Sequence, residues 1–484
     1  MLERAHQPKD DLELRSVYRR LKYEELFLYQ LRVQWQKYQR TYDKGHSKPY
    51  QIHQVKTFIN TLPYALTEAQ KQATNTIFKD LKSEHVMQRL LQGDTGSGKT
   101  VVAFLAMLAV MSAGYQVAFL APTEILAEQQ YDTIKRWLDT TPYAIALMTG
   151  SMSLEEKQTR IKQLKNHTLD GVIGTHAIFT GAIQYAKLGL VITDEQHRFG
   201  VHQRERLRNK GESPDVLYLS ATPIPRTLTM TLFGDMDLTV INQKPEGRKQ
   251  VITSLVPLKE AKNLNKTLIE TISKGQQAYI IAPRIENSDM DLVSVETLFN
   301  YYQKVLPKIR FAMLHGRLKS HEKELLLRQY KNKDIDVLIS TTVIEVGIHV
   351  PNATLMLIFH AERFGYAQIH QLRGRVGRSA LQGQCMLIYR GDDTVKERLS
   401  VLETIDDGFK LSEEDLKQRG FGDVLGTLQS GYSTFAYSHD YQDIKILKLA
   451  RDDAAQTVLS FIDKGYEDFN DLLKAIHVSN RIKS

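Results

Sequence analysis

The sequence contains one cysteine, Cys385, among its 484 residues. A single thiol excludes an intrachain disulfide and a zinc site built from several cysteines, and it suits a reducing compartment. No run of about 20 apolar residues occurs, so the sequence predicts no membrane-spanning helix. The first residues, MLERAHQPKDDLELR, lack the apolar segment of a secretory signal. We therefore expect a cytoplasmic protein.

The rest of the composition is that of an ordinary globular protein, with 42% hydrophobic and 25% charged residues. At about 150 residues per domain, this length predicts two or three domains. The chain carries 64 basic and 56 acidic residues, a net charge of +8. That balance permits a partner with a phosphate backbone but does not require one.

Residues 1–60 carry a helical pattern. Apolar side chains recur at spacings of three, four and seven residues: Leu14, Val17, Leu21, Leu28, Leu31 and Trp35. An apolar stripe of this kind needs a partner surface. We expect it to pack on the following domain rather than to bind a separate protein. The polar segment Thr41–Pro49 contains glycine and proline, which predicts a loop.

From about residue 60, short β-branched runs alternate with helical patterns. The predicted strands are Val117–Ala121, Ile145–Met148, Gly171–Gly174, Leu190–Thr193 and Val216–Leu219, and the helices include Val101–Ser112 and Glu124–Leu138. The rhythm restarts after the polar segment Gln243–Lys249, which predicts a linker. The second set of strands is Ala278–Ala282, Arg310–Leu314, Val337–Ser340, Thr354–Phe359 and Cys385–Tyr389. This alternation predicts an α/β protein with two tandem lobes, each built on a mostly parallel sheet.

The strand pattern stops after Tyr389. Residues 395–418 predict two short helices, and the Gly-rich stretch Arg419–Gly431 follows them. The segment from Tyr441 to Ile476 again has a helical pattern.

The segment Gly93–Thr100, GDTGSGKT, fits the phosphate-loop pattern G-x-x-x-x-G-K-[ST]. It follows the apolar run Met87–Leu91 and opens a helix, which is the context the pattern requires. Backbone N–H groups and the helix N-terminus can surround phosphates there. Lys99 would reach the β- and γ-phosphates of ATP, and Thr100 would ligate Mg²⁺. The predicted nucleotide-binding residues are Gly93, Asp94, Thr95, Gly96, Ser97, Gly98, Lys99 and Thr100.

Two adjacent carboxylates, Asp194 and Glu195, follow the apolar strand Leu188–Thr193. We predict that Asp194 holds Mg²⁺ through water, and that Glu195 deprotonates the attacking water. A solvated loop is the alternative for these two residues taken alone.

Two weaker patterns fit the same site. The tripeptide Ser220, Ala221 and Thr222 ends another predicted strand. It would connect the nucleotide site with the path of a nucleic acid. Gln70 lies upstream of the phosphate loop and could hydrogen-bond the adenine edge.

The order of these patterns resembles the superfamily 2 helicases. It runs Gln70, GDTGSGKT, APTE at 121–124, GTH at 174–176, DEQH at 194–197 and SAT at 220–222. In the second lobe, Gln371–Arg378 (QLRGRVGR) resembles the sixth motif of that superfamily. The resemblance implies that Arg375 and Arg378 are catalytic arginine fingers. A basic helix that contacts only a phosphate backbone remains the alternative.

Within that superfamily the chain resembles the RecG family of branched-DNA translocases. The stretches LLQGDTGSGKTVVA, ITDEQHRFGVHQR, LSATPIPRTL and TTVIEVGIHVPNAT carry the resemblance, as does Thr404–Gly431. The last stretch is similar to a translocation motif in which Arg419 and Gln429 couple lobe closure to DNA. Gly347 matches a nucleotide-binding position.

This resemblance implies two tandem RecA-like parallel-sheet lobes, followed by a helical hairpin and a helical tail. The implied limits are 1–60 for the lead-in, 61–242 and 243–394 for the lobes, 395–435 for the translocation hairpin and loop, and 436–484 for the tail. It also implies ATP and Mg²⁺ as cofactors and duplex or branched DNA, bound without sequence preference, as the partner. Fork regression and Holliday-junction branch migration are the implied activities. We expect a monomer in a bacterial-type cytoplasm, with a single-stranded-DNA-binding protein as a further candidate partner.

The chain departs from the family pattern in several places. RecG-like proteins have an N-terminal wedge domain of the oligonucleotide-binding fold, and this chain begins about where that domain ends. We therefore expect a motor core without the wedge. Phe421 stands where proline is usual, and Thr95 stands where valine is common.

His349 stands where the family usually has aspartate. A neutral imidazole cannot replace the charge of a carboxylate near the nucleotide, so we expect reduced ATP turnover. The variant His349→Asp should turn ATP over faster than the unaltered protein in a steady-state assay. Unchanged turnover in this variant would contradict the expectation.

Two other functions remain open at this point. An RNA helicase of the same superfamily would more often carry DEAD or DEAH in place of DEQH, and it would have no counterpart of Thr404–Gly431. A DNA-binding remnant without catalysis is the second alternative.

Overall fold

The computed structural model describes residues 8–41, 45–180, 183–194, 211, 213–221, 229, 236–245, 249–283, 293–342, 350–377, 381–428, 437–438, 443–465 and 468–474. Of residues 40, 41, 320 and 419–428 it describes the backbone only. No helix in this part of the chain is both long and apolar enough to span a bilayer.

The first lobe is a parallel sheet between helices. In order along the chain, its elements are α1 (Asp11–Thr41), α2 (Ile52–Thr61), α3 (Glu68–Lys82), β1 (Gln88–Gly93), α4 (Lys99–Ser112), β2 (Gln116–Leu120), α5 (Glu124–Leu138), β3 (Ile145–Met148), α6 (Leu154–Lys165), β4 (Gly171–Gly174), β5 (Leu188–Asp194), β6 (Asp215–Ser220) and β7 (Asp237–Ile241). Within the described residues seven strands join in the order β3-β4-β2-β5-β6-β1-β7, and all their pairings are parallel.

The second lobe repeats the design. Its elements are β8 (Ile252–Pro257), α7 (Leu264–Ser273), β9 (Gln277–Ile281), α8 (Val295–Val305), β10 (Phe311–Leu314), α9 (Ser320–Lys331), β11 (Val337–Ser340), β12 (Ala353–Phe359), α10 (Tyr366–Arg373) and β13 (Gln384–Tyr389). The described strands join in parallel in the order β10-β11-β9-β12-β13-β8. The predicted α/β class with two tandem parallel-sheet lobes is confirmed.

The inner strands of both sheets are buried on both faces, as parallel strands covered by helices should be. Strand β1 is buried along its whole length, and so is β12. Helix α4 is almost entirely apolar from Val101 to Ser112, and every residue in this range is buried. Since an apolar helix on all sides belongs in a core, α4 holds the phosphate loop on a rigid support.

The two lobes share a β-α-β unit with the same spacing. In the first lobe the unit is β3-α6-β4, and in the second it is β10-α9-β11. Lys157 donates to the carbonyl of Gly150 at 2.6 Å, and Lys323 donates to the carbonyl of Gly316 at 2.8 Å. The matching contacts show that the lobes repeat one local design as well as one fold.

Three sequence predictions need correction. Strands β7 and β8 have no counterpart among the predicted strands. The second helix after Tyr389 is not short, because α12 (Gly408–Leu428) runs for 21 residues through most of the Gly-rich stretch. It follows α11 (Asp393–Thr404), so the predicted pair of helices is otherwise present. The domain limits stay predictions.

The lead-in helix α1 packs against α13 (Asp443–Asp463), not only on the following lobe as predicted. Trp35 meets the edge of Phe461 with 6.0 Å between ring centres, and Lys22 pairs with Asp443 at 2.8 Å. Leu31 is fully buried, whereas Leu28 of the predicted stripe is 44% exposed. The apolar stripe therefore has its partner near the other end of the chain.

The segment that follows α1 is anchored by a buried ion pair. Lys48 Nζ lies 2.6 Å from Asp215 Oδ2 at the start of β6, and both side chains are 2% exposed. The other carboxylate oxygen of Asp215 accepts the backbone N–H of Met87 at 2.8 Å. This pair fixes the loop to the strand beside β1, which precedes the phosphate loop.

Candidate nucleotide site between the lobes

The phosphate loop connects β1 to α4 through two glycines with left-handed backbone. Gly96 has φ of 77° and Gly98 has φ of 85°, a region that glycine enters without strain. A Cβ atom at Gly98 would also clash with the side-chain amide of Gln70. The sequence therefore folds this loop only with glycine at these positions.

Lys99 turns its ammonium group back into the loop. Its Nζ donates to the carbonyl of Gly93 at 2.7 Å and to that of Asp94 at 3.0 Å. These contacts hold a positive charge at the centre of the loop, where phosphate oxygens could replace the carbonyls as acceptors.

A cavity of about 450 Å³ lies between the lobes and brings distant predicted residues together. The first lobe contributes Thr95, Gly96, Lys99, Thr100, Asp194 and Ala221 to its wall, and the second contributes Lys331, Pro351 and Arg375. The side chain of Gln130 donates to Asp194 Oδ2 at 3.4 Å. The sequence did not point to Gln130, which lies on α5 beyond the APTE motif.

The backbone of the second lobe lies close to the phosphate loop at Gly374. A Cβ atom there would lie 3.2 Å from the Cβ of Thr95 in the phosphate loop. The next residue, Arg375, is 5% exposed and lines the cavity. A glycine at this contact lets the segment after α10 lie against the phosphate loop, so Arg375 enters the nucleotide cavity from the opposite lobe.

Gln70 lies on α3, where its side chain hydrogen-bonds to the phosphate loop. Its Nε2 donates to the carbonyl of Ser97 at 2.8 Å, and its Oε1 accepts the N–H of Thr67 at 2.9 Å. It thus supports the phosphate loop and caps its own helix. An adenine contact stays a prediction.

Asp94 makes short polar contacts with residues beyond the first lobe. Its Oδ1 lies 2.6 Å from His370 Nε2, and its Oδ2 lies 3.2 Å from Lys244 Nζ. Burial alone would raise the pKa of Asp94, but the hydrogen bond from His370 and the charge of Lys244 outweigh burial and hold the pKa well below its usual range. The carboxylate is therefore ionised at neutral pH.

Two family models match the chain, a DEAD/DEAH box helicase model over residues 67–231 and a Helicase conserved C-terminal domain model over residues 260–380. The ATP-dependent DNA helicase RecG of Staphylococcus aureus (strain Mu50) is 44% identical over 472 residues, which cover 96% of this chain and 69% of that protein. The chain belongs to the RecG family.

Two further similarities agree with membership of the RecG family. The RecG of Staphylococcus epidermidis is 42% identical over 479 residues, covering 98% of this chain and 70% of that protein. A solved structure of RecG bound to a three-way DNA junction matches with a TM-score of 0.79 and 40% identity. The match covers 91% of this chain and 58% of that one.

The donor types in the cavity fit a hard divalent cation. Thr100 offers a hydroxyl oxygen and Asp194 a carboxylate oxygen to the same space, and Mg²⁺ prefers one or two such ligands together with water and phosphate. Both residues thus suit the predicted role in this RecG family member, and the role itself stays a prediction.

Several predicted site residues cannot be placed. Glu195, Thr222, Gly347, Arg378 and Gln429 lie outside the described residues, as does His349. Arg419 lies on α12, where the backbone alone is described. Ser220 is buried at the end of β6. The catalytic and coupling roles of all these residues stay predictions.

Sequence patterns missed four residues next to the phosphate loop of this RecG-type site. They are Lys244, His370, Arg373 and Asp406. The sequence carries only a weak indication of these residues, namely that His370 and Arg373 are polar residues on the buried face of α10. Their partners lie far away in the sequence, so no local pattern pairs them.

Proposed function

We propose that this chain is an ATP-driven DNA translocase core of RecG type. One observation carries the proposal: Lys99, Thr100 and Asp194 of the first lobe line the same cavity as Arg375 of the second. ATP would bind there with its phosphates in the loop Gly93–Thr100. The family relatives are named ATP-dependent DNA helicases, which supports ATP as the nucleotide.

The proposed roles follow from the chemistry of each group. Lys99 binds the β- and γ-phosphates, and Arg375, with Arg378, stabilises charge on the departing phosphoryl group. Mg²⁺, held by Thr100 and through water by Asp194, would neutralise phosphate charge. Glu195 accepts a proton from the attacking water. Gln70 and Gly347 complete the proposed nucleotide site.

The proposed partner is duplex or branched DNA, contacted mainly through its phosphates and therefore without sequence preference. The junction-bound RecG structure supports this choice. Closure and opening of the cleft would be passed to DNA through Ser220, Ala221, Thr222, Arg419 and Gln429. Fork regression and branch migration are the activities we propose, by a monomer in the cytoplasm, with a single-stranded-DNA-binding protein as a candidate partner.

ATP turnover should rise when duplex or three-way-junction DNA is added to the purified protein, and it should rise less with RNA of the same length. Because binding rests on phosphates, raising salt from about 50 to 200 mM should weaken DNA binding by roughly 10³- to 10⁵-fold if six to ten phosphates are contacted. Steady-state ATP hydrolysis and fluorescence anisotropy of labelled DNA measure the two effects.

Lys99→Ala is the control for both measurements. Equal turnover by this variant and the unaltered protein would instead favour a DNA-binding remnant without catalysis. Stronger stimulation by RNA than by DNA would favour an RNA helicase.

A further inference from the structure

Five side chains from four separate segments form a closed ring of polar contacts beside the nucleotide cavity. His370 lies 2.6 Å from Asp94 through Nε2 and 2.9 Å from Arg373 Nη2 through Nδ1. Arg373 Nη2 lies 3.2 Å from Asp406 Oδ1. Lys244 Nζ closes the ring, at 2.9 Å from Asp406 Oδ2 and 3.2 Å from Asp94 Oδ2.

The hydrogen-bond partners determine the state of His370. A guanidinium group only donates, so Nδ1 of His370 must accept from Arg373. An ionised carboxylate only accepts, so Nε2 of His370 must carry the proton that is donated to Asp94. His370 is therefore a neutral imidazole in the Nε2–H tautomer, and it relays a hydrogen bond from one charged group to the other.

The ring is balanced in charge and mostly buried. It contains two carboxylates and two cations around the neutral imidazole. The side chains of Asp94, His370 and Arg373 are between 3% and 9% exposed, whereas Asp406 and Lys244 are 28% and 32% exposed. Removal of one charged side chain would leave its oppositely charged partner without full compensation in a site of low dielectric constant. The five groups should therefore act as a unit.

The ring joins the phosphate loop, the connection between the lobes, helix α10 and the turn before α12. Asp94 lies in the phosphate loop, and Lys244 lies where the chain passes from the first lobe to the second. His370 and Arg373 lie on α10, which ends two residues before Arg375. Asp406 lies in the turn between α11 and α12.

Arg373 makes further hydrogen bonds to the chain around that turn, in addition to its contacts within the ring. It donates to the carbonyl of Leu402 at 2.8 Å and to that of Ile405 at 3.1 Å. The last turn of α11 and the start of α12 are thus fixed to the helix that precedes Arg375. A shift of α12 would move α10, and a shift of α10 would move Arg375 relative to the phosphate loop.

We propose that the ring of Asp94, Lys244, His370, Arg373 and Asp406 positions Arg375 in the nucleotide cavity and ties that position to the start of α12. This inference rests on the proposed function, since Arg375 needs a placement only if the cavity hydrolyses ATP. The five members are positioning residues, because they act through Arg375 and the phosphate loop.

Two substitutions of His370 separate positioning from mere structural support. His370→Leu removes both polar contacts, so kcat for ATP should fall by up to about a hundredfold, the cost of displacing a reacting group by about 1 Å. The KM for ATP should change little, because the loss falls on transition-state stabilisation. His370→Gln keeps one donor and one acceptor, and it should restore most of kcat.

Asp406→Asn tests the partly exposed end of the ring. Because Asp406 is less buried than His370, this variant still tests the inference if His370→Leu does not fold. It should also lower kcat, and its combination with His370→Leu should lower kcat by less than the product of the two separate effects. Arg310→Gln is the matched control, because Arg310 pairs with Asp336 at 2.7 Å just before strands β10 and β11 of the second lobe, and the variant should leave kcat unchanged.

Thermal unfolding of each variant completes the test. A purely structural ring would lower the melting temperature of His370→Leu without changing kcat below that temperature, and this result would overturn the inference. Equal defects in His370→Gln and His370→Leu would also overturn it. If the unaltered protein hydrolyses ATP no faster than Lys99→Ala, the proposed function fails and the ring has no arginine finger to position.

Discussion

Arg375→Ala should lower kcat for ATP hydrolysis by about a thousandfold or more, the range found for arginines that stabilise phosphoryl transfer. The side chain is 5% exposed and lines, from the second lobe, the same cavity as Lys99 and Thr100. Its removal would take away one of the cations that the second lobe offers to the departing phosphate. Arg375→Lys should restore only part of the rate, because an ammonium group lacks the planar fork of guanidinium.

Steady-state kinetics with saturating duplex DNA gives both kcat and KM for this series. Arg160→Ala serves as control, since Arg160 lies on α6 of the first lobe, where its Nη1 donates to Gln163 Oε1 at 3.3 Å. A normal kcat in Arg375→Ala, combined with weaker DNA binding, would identify the basic helix as a contact to the phosphate backbone and exclude the arginine finger.

Lys48→Met should destabilise the first lobe by about 3–5 kcal/mol, the cost of leaving one partner of a buried ion pair without compensation. Asp215 would remain 2% exposed with only the N–H of Met87 to oppose its charge. The double variant Lys48→Met/Asp215→Asn should regain most of the loss, because an amide oxygen can still accept that N–H without carrying a charge.

The pH dependence of Lys48→Met has a defined sign. Burial raises the pKa of Asp215 even against the charge of Lys48, and loss of that charge should raise the pKa further. A carboxyl with a raised pKa binds its proton more tightly when folded, so stability rises as the pH falls through the folded pKa. The defect should therefore shrink as the pH is lowered through the raised pKa of Asp215 in the single variant, and it should stay constant in the double variant.

Tryptophan fluorescence in urea can follow this lobe separately. Trp137 packs at 5.1 Å from Phe104 in the first lobe, and Trp35 lies in the α1–α13 contact. The chain has two tryptophans, so a Trp35→Phe background leaves Trp137 as the reporter. An unfolding midpoint that Lys48→Met does not change would contradict the predicted role of the pair.

The central strands and the phosphate loop were predictable because their signals are local. The strand Gly171–Gly174 was placed at the observed residues, since an inner parallel strand is a short apolar run. Strand β8 was missed because it lies at a sheet edge, is only partly buried and carries polar residues such as Thr253. An edge strand of that kind resembles a loop in sequence.

Contacts between residues that lie far apart in the chain could not be predicted from the sequence. Lys48 lies in a polar segment that correctly predicts a loop, yet its ammonium group is buried against Asp215. His370 precedes a recognisable motif, but its partner Asp94 comes from the other lobe. A residue pattern gives the periodicity of an element, and it carries no information about which charge meets which across a fold.

The packing of α1 on α13 has a consequence for synthesis of the chain. Helix α1 leaves the ribosome about 400 residues before its partner α13, which begins only at Asp443. At roughly 5–20 residues per second, tens of seconds pass before Trp35 can meet Phe461. During that interval the apolar stripe of α1 stays exposed while both lobes fold. The nascent chain should therefore depend on chaperones most strongly just before α13 emerges.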